Sequence, residues 1–123
     1  MANPNIVNVT SIIGNSLSIA VGTSATQLAS NAASSGKVFK INSILIANVD
    51  GTSAADITVS IFSAAALGGS PLPIASTISV PADASLIVTD KTTSFYLLEN
   101  QSIGATAGTA SDLVATISFE EIT

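Results

Sequence analysis

The chain has 123 residues, enough for one domain with its own core, and 47% of them are apolar while only 9% are charged. Its net charge is −5, and its only cations are Lys37, Lys40 and Lys91, so it cannot neutralise the phosphates from which DNA-binding proteins draw their affinity. With no His and no Cys there is no Ser-His-Asp triad, no histidine base, no typical zinc site and no disulfide.

The N-terminus, Met1-Ala2-Asn3-Pro4, lacks the basic start and apolar run of a signal peptide, so the protein is expected to be made and kept in the cytoplasm until assembly. From there the chain reads as strands. Gly14-Asn15 lies between two apolar runs, 5–13 and 16–22, and is read as a two-residue hairpin turn with Gly at its first central position. Residues 1–22 then form an N-terminal hairpin or arm, and 23–123 the main domain. Ala25 to Ser35 has no apolar stripe and reads as strand plus loop.

Lys37 to Asp50 is the longest strand signal. Phe39, Ile41, Leu45, Ala47 and Val49 share one parity, and Ile44 and Ile46 break it. A strand covered on both faces, or a bulge that shifts the register, would explain the break, and the covered face is preferred. Ile57, Val59 and Ile61 alternate with Asp56, Thr58 and Ser60. Ser63 to Leu67 is short enough for one helical turn, and residues 68–73 read as a plain loop because Pro71 and Pro73 cannot join a sheet interior. Ile74, Ile78 and Val80 alternate again, Pro81-Ala82-Asp83 turns, and 84–90 is another strand. Near the end Leu113, Ala115, Ile117 and Phe119 alternate with Asp112, Thr116, Ser118 and Glu120. The sum is an all-β domain, a single antiparallel β-sandwich (Ig-like or jelly-roll-like) of about eight to ten short strands.

No motif carries chemistry. Glu120 and Glu121 are neighbours on a strand and point to opposite faces, so they cannot converge on one substrate. Asp83 and Asp90 fit turn chemistry. Asp50, Asp56 and Asp112 lie near loops but without the dense alternating carboxylates of a calcium loop. Tyr96 is expected to pack rather than to stack on a ligand. Lys37 and Lys40, of opposite parity, read as solvating or edge-protecting charges. No enzyme activity, cofactor or metal is expected. No apolar run approaches the 18 or so residues of a membrane-spanning helix, and the few aromatic residues cannot build the girdles of a membrane barrel, so no membrane is expected either.

Residues 34–51, SSGKVFKINSILIANVDG, resemble small structural proteins of tailed bacteriophages, including phages of marine and cyanobacterial hosts. The resemblance continues through 55–59 (ADITV), 78–86 (ISVPADASL), 96–103 (YLLENQSI), 112–113 (DL) and 118–122 (SFEEI), and it covers most of the chain from Asn5 onward. The loop at 68–71 is longer than that family leads one to expect. The resemblance implies a virion protein: a capsid decoration (cement) protein that stabilises the phage head by binding the major capsid protein or other virion proteins, as a homo-oligomer with a trimer favoured. A neck, tail or head-fibre component and a carbohydrate-binding β-sandwich module are the alternatives. The expected protein-contact residues are Ile6, Val7, Val9, Leu17 and Ile19 of the N-terminal hairpin and Leu72 of the 68–73 loop.

Overall fold

A computed structural model describes residues 4–123. Apart from one 3-10 turn the regular structure of the described residues is all strand, and the two antiparallel sheets pack face to face as a β-sandwich. The strands are β1 (Ile12–Val21), β2 (Thr26–Asn31), β3 (Val38–Asn48), β4 (Ala55–Ala64), β5 (Gly68–Val80), β6 (Ser85–Thr89), β7 (Phe95–Leu97), β8 (Gln101–Ala107) and β9 (Leu113–Ile122). The first sheet has the order β1-β9-β3-β6, and the short β7 also pairs with β3. The second has the order β2-β8-β4-β5. The chain crosses between the sheets at almost every connection. Between the two alternatives read from the sequence, this strand order is that of a jelly roll.

The interior is aliphatic. Ile41, Ile44, Ile46, Ile57, Val59, Val80, Leu97, Ile103, Leu113 and Ile117 are at most 1% exposed. Each large side chain sealed this way contributes about 1.5–3 kcal/mol of transfer free energy. A buried asparagine closes each end. Asn31 donates to the carbonyls of Lys37 and Leu97 at 2.9 and 3.2 Å and accepts from the Ser35 hydroxyl. Asn48 donates to the carbonyls of Ser53 and Val80, both at 2.9 Å, and accepts from the Asp50 amide. Both amides thus tie loop backbone to strand ends that would otherwise bury unpaired groups.

Several local expectations are corrected. Gly14-Asn15 is not a turn. Both residues lie inside β1, which pairs with β9 without interruption from Ile12↔Ile122 to Val21↔Leu113. A ten-residue ladder outweighs the local turn preference of two residues, and the Asn15 amide donates to the Glu121 carboxylate across the ladder. No strand precedes Ile12 among the described residues. The broken alternation in β3 comes from a bulge, not from a second cover. The register against β9 shifts between Ile41 and Ser43, leaving Asn42 as the extra residue. Phe39, Ile41, Ile44 and Ile46 are therefore buried, and Leu45 faces out, 39% exposed.

The 68–73 segment is also not a loop. It is the first half of β5, where Pro71 pairs with Phe62 and Pro73 with Ser60. β5 is an edge strand, so a residue without an N–H can turn its empty side to solvent. The register of β5 against β4 slips at three places, and these bulges fit its 13 residues against the 10 of β4.

The link between β4 and β5 is a tight turn rather than a turn of helix. Ala66 and Leu67 both have positive φ, 56° and 59°, which disfavours any side chain. Three side chains hold it in place. The amides of Ala65, Ala66 and Leu67 donate to Asn100 Oδ1, Ser30 Oγ and Ser102 Oγ at 2.9–3.1 Å. Ser102 Oγ in turn donates to the Ala64 carbonyl at 2.7 Å.

Candidate functional site

Strand parity sorts the side chains of the first sheet. In β9, Leu113, Ala115 and Ile117 are buried in the core, so Val114, Thr116, Ser118, Glu120 and Ile122 lie on the outer face. Pairing extends this face sideways in rows. Ser16, Ser118 and Ser43 make one row, and Ser18, Thr116, Leu45 and Ile87 the next. Ala20, Val114, Ala47 and Ser85 make the third. None of these side chains is charged. The hydroxyls of Ser18 and Thr116 hydrogen-bond to each other at 2.9 Å, while Leu45 and Ile87, paired across strands, are 39% and 60% exposed.

At about 4.8 Å per strand and about 6.8 Å per row, this flat patch measures on the order of 350 Å². A stable protein interface needs about 800 Å² from each partner, so the patch would form the centre of a contact and its margins would supply the rest. At the Ser118 end the patch is bounded by a charged row, where the Asn42 amide donates to Glu120 at 3.0 Å and Lys40 lies between Glu120 and Tyr96 in the register, and the apolar groove described below lies beyond that row.

The opposite outer face, on the second sheet, is covered at its centre by its own chain. Gly104 lies there in β8, and a Cβ at that position would come within 2.8 Å of Leu67 Cδ2 and 2.9 Å of Phe62 Cε1. The β4–β5 turn therefore folds back and rests on the glycine. Ser102 is fully buried beneath it.

The expected contact residues do not form one patch. Ile6 is half exposed and, with Pro4, Val38, Tyr96 and Leu98, lines a groove of about 230 Å³. Val7 is 91% exposed and Val9 is half-buried. Leu17 and Ile19 share the inward parity of β1. Leu17 is 39% exposed at the sandwich margin, whereas Ile19 packs against the core. Leu72 is 73% exposed on the edge strand β5 of the other sheet, on the flank away from β1. The outward set of Leu45, Thr116, Val114 and Ile87 was missed. Its signal was the break in alternation at Ile44–Ile46, which turns Leu45 outward once the bulge is recognised.

Several charged residues serve local structure. Lys37 pairs with Glu121 at 3.1 Å. Asp90 caps the 3-10 turn at Lys91–Thr93, and bonds from the hydroxyl and then the amide of Thr92 hold its carboxyl below the usual range. Asp50 is lowered in the same way, first by the Thr52 amide and then by the Thr52 hydroxyl. Among the described residues no group of three His, Cys, Asp or Glu side chains is placed to hold a metal ion. A second cleft, about 240 Å³, opens where the 3-10 turn interrupts pairing along β3. It is lined by Ile74, Val88, Thr89, Thr93 and Phe95.

No protein-family model matches the chain, and no curated protein sequence matches it. Among solved structures, the chain is similar to one described as "Bacillus endospore appendages form a novel family of disulfide-linked pili", with a TM-score of 0.50 and 16% identity over 99% of this chain and 92% of that one. At that identity the likeness concerns the fold.

Proposed function

We propose that this protein is a non-enzymatic structural subunit that binds other protein subunits through the uncharged outer face of its first sheet, and that it serves as a decoration (cement) protein on the head of a tailed phage, as a homotrimer on the capsid surface. One observation carries the reading. Two outer faces are built from small residues, and the chain covers one of them with its own turn while leaving the other bare. A bare face of Ser, Thr, Ala, Leu and Ile has few charges to desolvate when a partner covers it. The resemblance of residues 34–51 to phage structural proteins supports the capsid as the partner.

The test combines light scattering on the purified chain with co-sedimentation on undecorated heads of the phage that encodes it. The reading expects a defined oligomer or depletion onto heads. It also expects Leu45→Lys, which sets a charge in the centre of the patch, to weaken capture at least tenfold without lowering the melting temperature. A monomer that ignores heads would remove the reading.

A second reading, a subunit of a homopolymeric appendage, draws on the fold likeness to a pilus structure. That structure is described as disulfide-linked, and this chain has no cysteine, so any polymer it formed would be held by non-covalent contacts. Filaments in electron micrographs of the protein alone would favour this alternative.

A further inference from the structure

The two sheets end in four edge strands, and three of them are blunted. β5 carries Pro71 and Pro73 and slips register at three places. β2 has six residues and slips between Gln27 and Ala29, and β6 has five and slips against β3. β1 is different: ten residues with no charge, no proline and no bulge against β9. The direction of its backbone groups follows from the bonds at its root. The Ser11 amide donates to the Thr123 carbonyl at 3.3 Å, and the Thr123 amide donates to the Ser11 carbonyl at 2.9 Å. This exchange marks a hydrogen-bonded pair, and such pairs recur at every second residue of an unbroken antiparallel ladder. Ile13, Asn15, Leu17, Ile19 and Val21 therefore turn their N–H and C=O groups to β9. Ile12, Gly14, Ser16, Ser18 and Ala20 turn theirs to the other side, and all five are exposed. Among the described residues no strand pairs with that side. Ile13 and Leu17, of inward parity, are 55% and 39% exposed, so the sandwich is also open beneath this edge.

We infer that the β1 edge pairs antiparallel with β1 of a second copy of this chain, about a twofold axis through Ser16. The five outward-turned residues are spaced symmetrically about Ser16, so this register joins all of them in about ten hydrogen bonds. Ser16 meets Ser16, Gly14 meets Ser18 and Ile12 meets Ala20. On the inward side Ile13 meets Ile19 and Leu17 meets Asn15, which gives the two exposed apolar side chains neighbours. A second copy is the occupant that the area favours. The axis stands perpendicular to the sheet, so both bare outer faces look the same way and join along the Ser16 row. The face grows from about 350 to about 700 Å², close to the 800 Å² or so that a stable interface takes from one partner. The inference deepens the assembly reading, on which it rests for the use of that joined face. It links a copy in one trimer to a copy in the next.

The absence of cysteine makes a direct test possible in the full chain. Across the axis the two Ser16 Cα atoms lie about 5.5 Å apart, within reach of a disulfide. The two Ser18 Cα atoms lie about 14 Å apart, beyond it. Under mild oxidation Ser16→Cys should therefore form a disulfide dimer in at least tenfold higher yield than Ser18→Cys. A mixture of Gly14→Cys and Ser18→Cys should give a mixed dimer in a yield like that of Ser16→Cys. Ser16→Pro removes only an outward N–H and leaves the β9 ladder whole, as an edge strand allows. It should weaken dimerisation at least tenfold in light scattering while the strand signal in circular dichroism is kept. A Ser16→Cys yield no higher than that of Ser18→Cys overturns the pairing, and so does a chain that stays monomeric up to about 1 mM. Protection of the Gly14, Ser16 and Ser18 amides from exchange on heads alone would give the edge to a capsid strand and overturn it too. Head binding of the unmodified chain reads separately. Ser16-centred dimers without head binding leave the pairing standing and remove the capsid, and head binding without such dimers does the reverse.

Discussion

The two outer faces of this sandwich begin from similar material and end differently. On the second sheet, Ser102 and Gly104 in β8 lie under Leu67 and Phe62, and the turn that carries Leu67 is held by three side chains drawn from β2, β8 and the loop before β8. On the first sheet, Ser16, Ser18, Thr116 and Leu45 have no such cover. The chain therefore accepts two non-glycine residues at positive φ to close one face and makes no comparable arrangement for the other. The difference teaches where a partner is needed: small residues signify internal packing on one face and contact on the other, and the presence of a folded-back turn decides which.

Substitutions can break or sharpen this contrast. The largest effect belongs to the interior that the two sheets share. Ile46→Ala should cost about 2–5 kcal/mol in a denaturant titration whichever face is considered, and a loss under 1 kcal/mol would mean that the core is not packed as described. Next comes Ser102→Ala, which orphans the Leu67 amide and the Ala64 carbonyl together. About 1–3 kcal/mol should be lost, with faster amide exchange confined to residues 64–68. Gly104→Ala presses on both Leu67 Cδ2 and Phe62 Cε1 and should cost about 1–2 kcal/mol, because the Leu67 methyl can move aside but the Phe62 ring must shift as a whole. The smallest effect is expected from Ser18→Ala, the same change as at Ser102 but on the bare face. It should stay within about 0.5 kcal/mol. If the two serine variants lost equal stability, the distinction between a covered and a bare face would be wrong.

Much of the architecture was legible in the sequence. Ile57, Val59 and Ile61 alternate and are inward, and so are Leu113, Ala115 and Ile117, because a regular strand with one wet face leaves a period of two. The turn at Pro81–Asp83 was readable from its residue types, and Asp83 takes the positive φ, 57°, that Asp tolerates better than most. What escaped was set by partners distant in sequence. Gly14 and Asn15 carry the chemistry of a hairpin turn, but β9, a hundred residues on, supplies an edge against which they extend. Pro71 and Pro73 signal a loop unless the strand is known to lie at an edge. The bulge at Asn42 leaves no mark in composition. It appears only as a shifted phase that a second buried face would produce equally well. For the site, Ile6 was singled out and does line a groove, whereas the outward row through Leu45 depended on that same unread bulge.

The position of β9 has a consequence for how the protein is made. It is synthesised after every strand it joins, yet it lies between β1 and β3. Until it emerges from the ribosome, the first sheet is divided, with β1 on one side of an empty slot and β3 on the other. Ile44 and Ile46 then have no Ile117 or Ala115 beside them, and two strands present unpaired edges to whatever nascent chains are near. Folding of this sheet therefore waits on β9 and is limited by a long-range closure. A chain truncated within β9 should accumulate as aggregate rather than as a smaller folded domain.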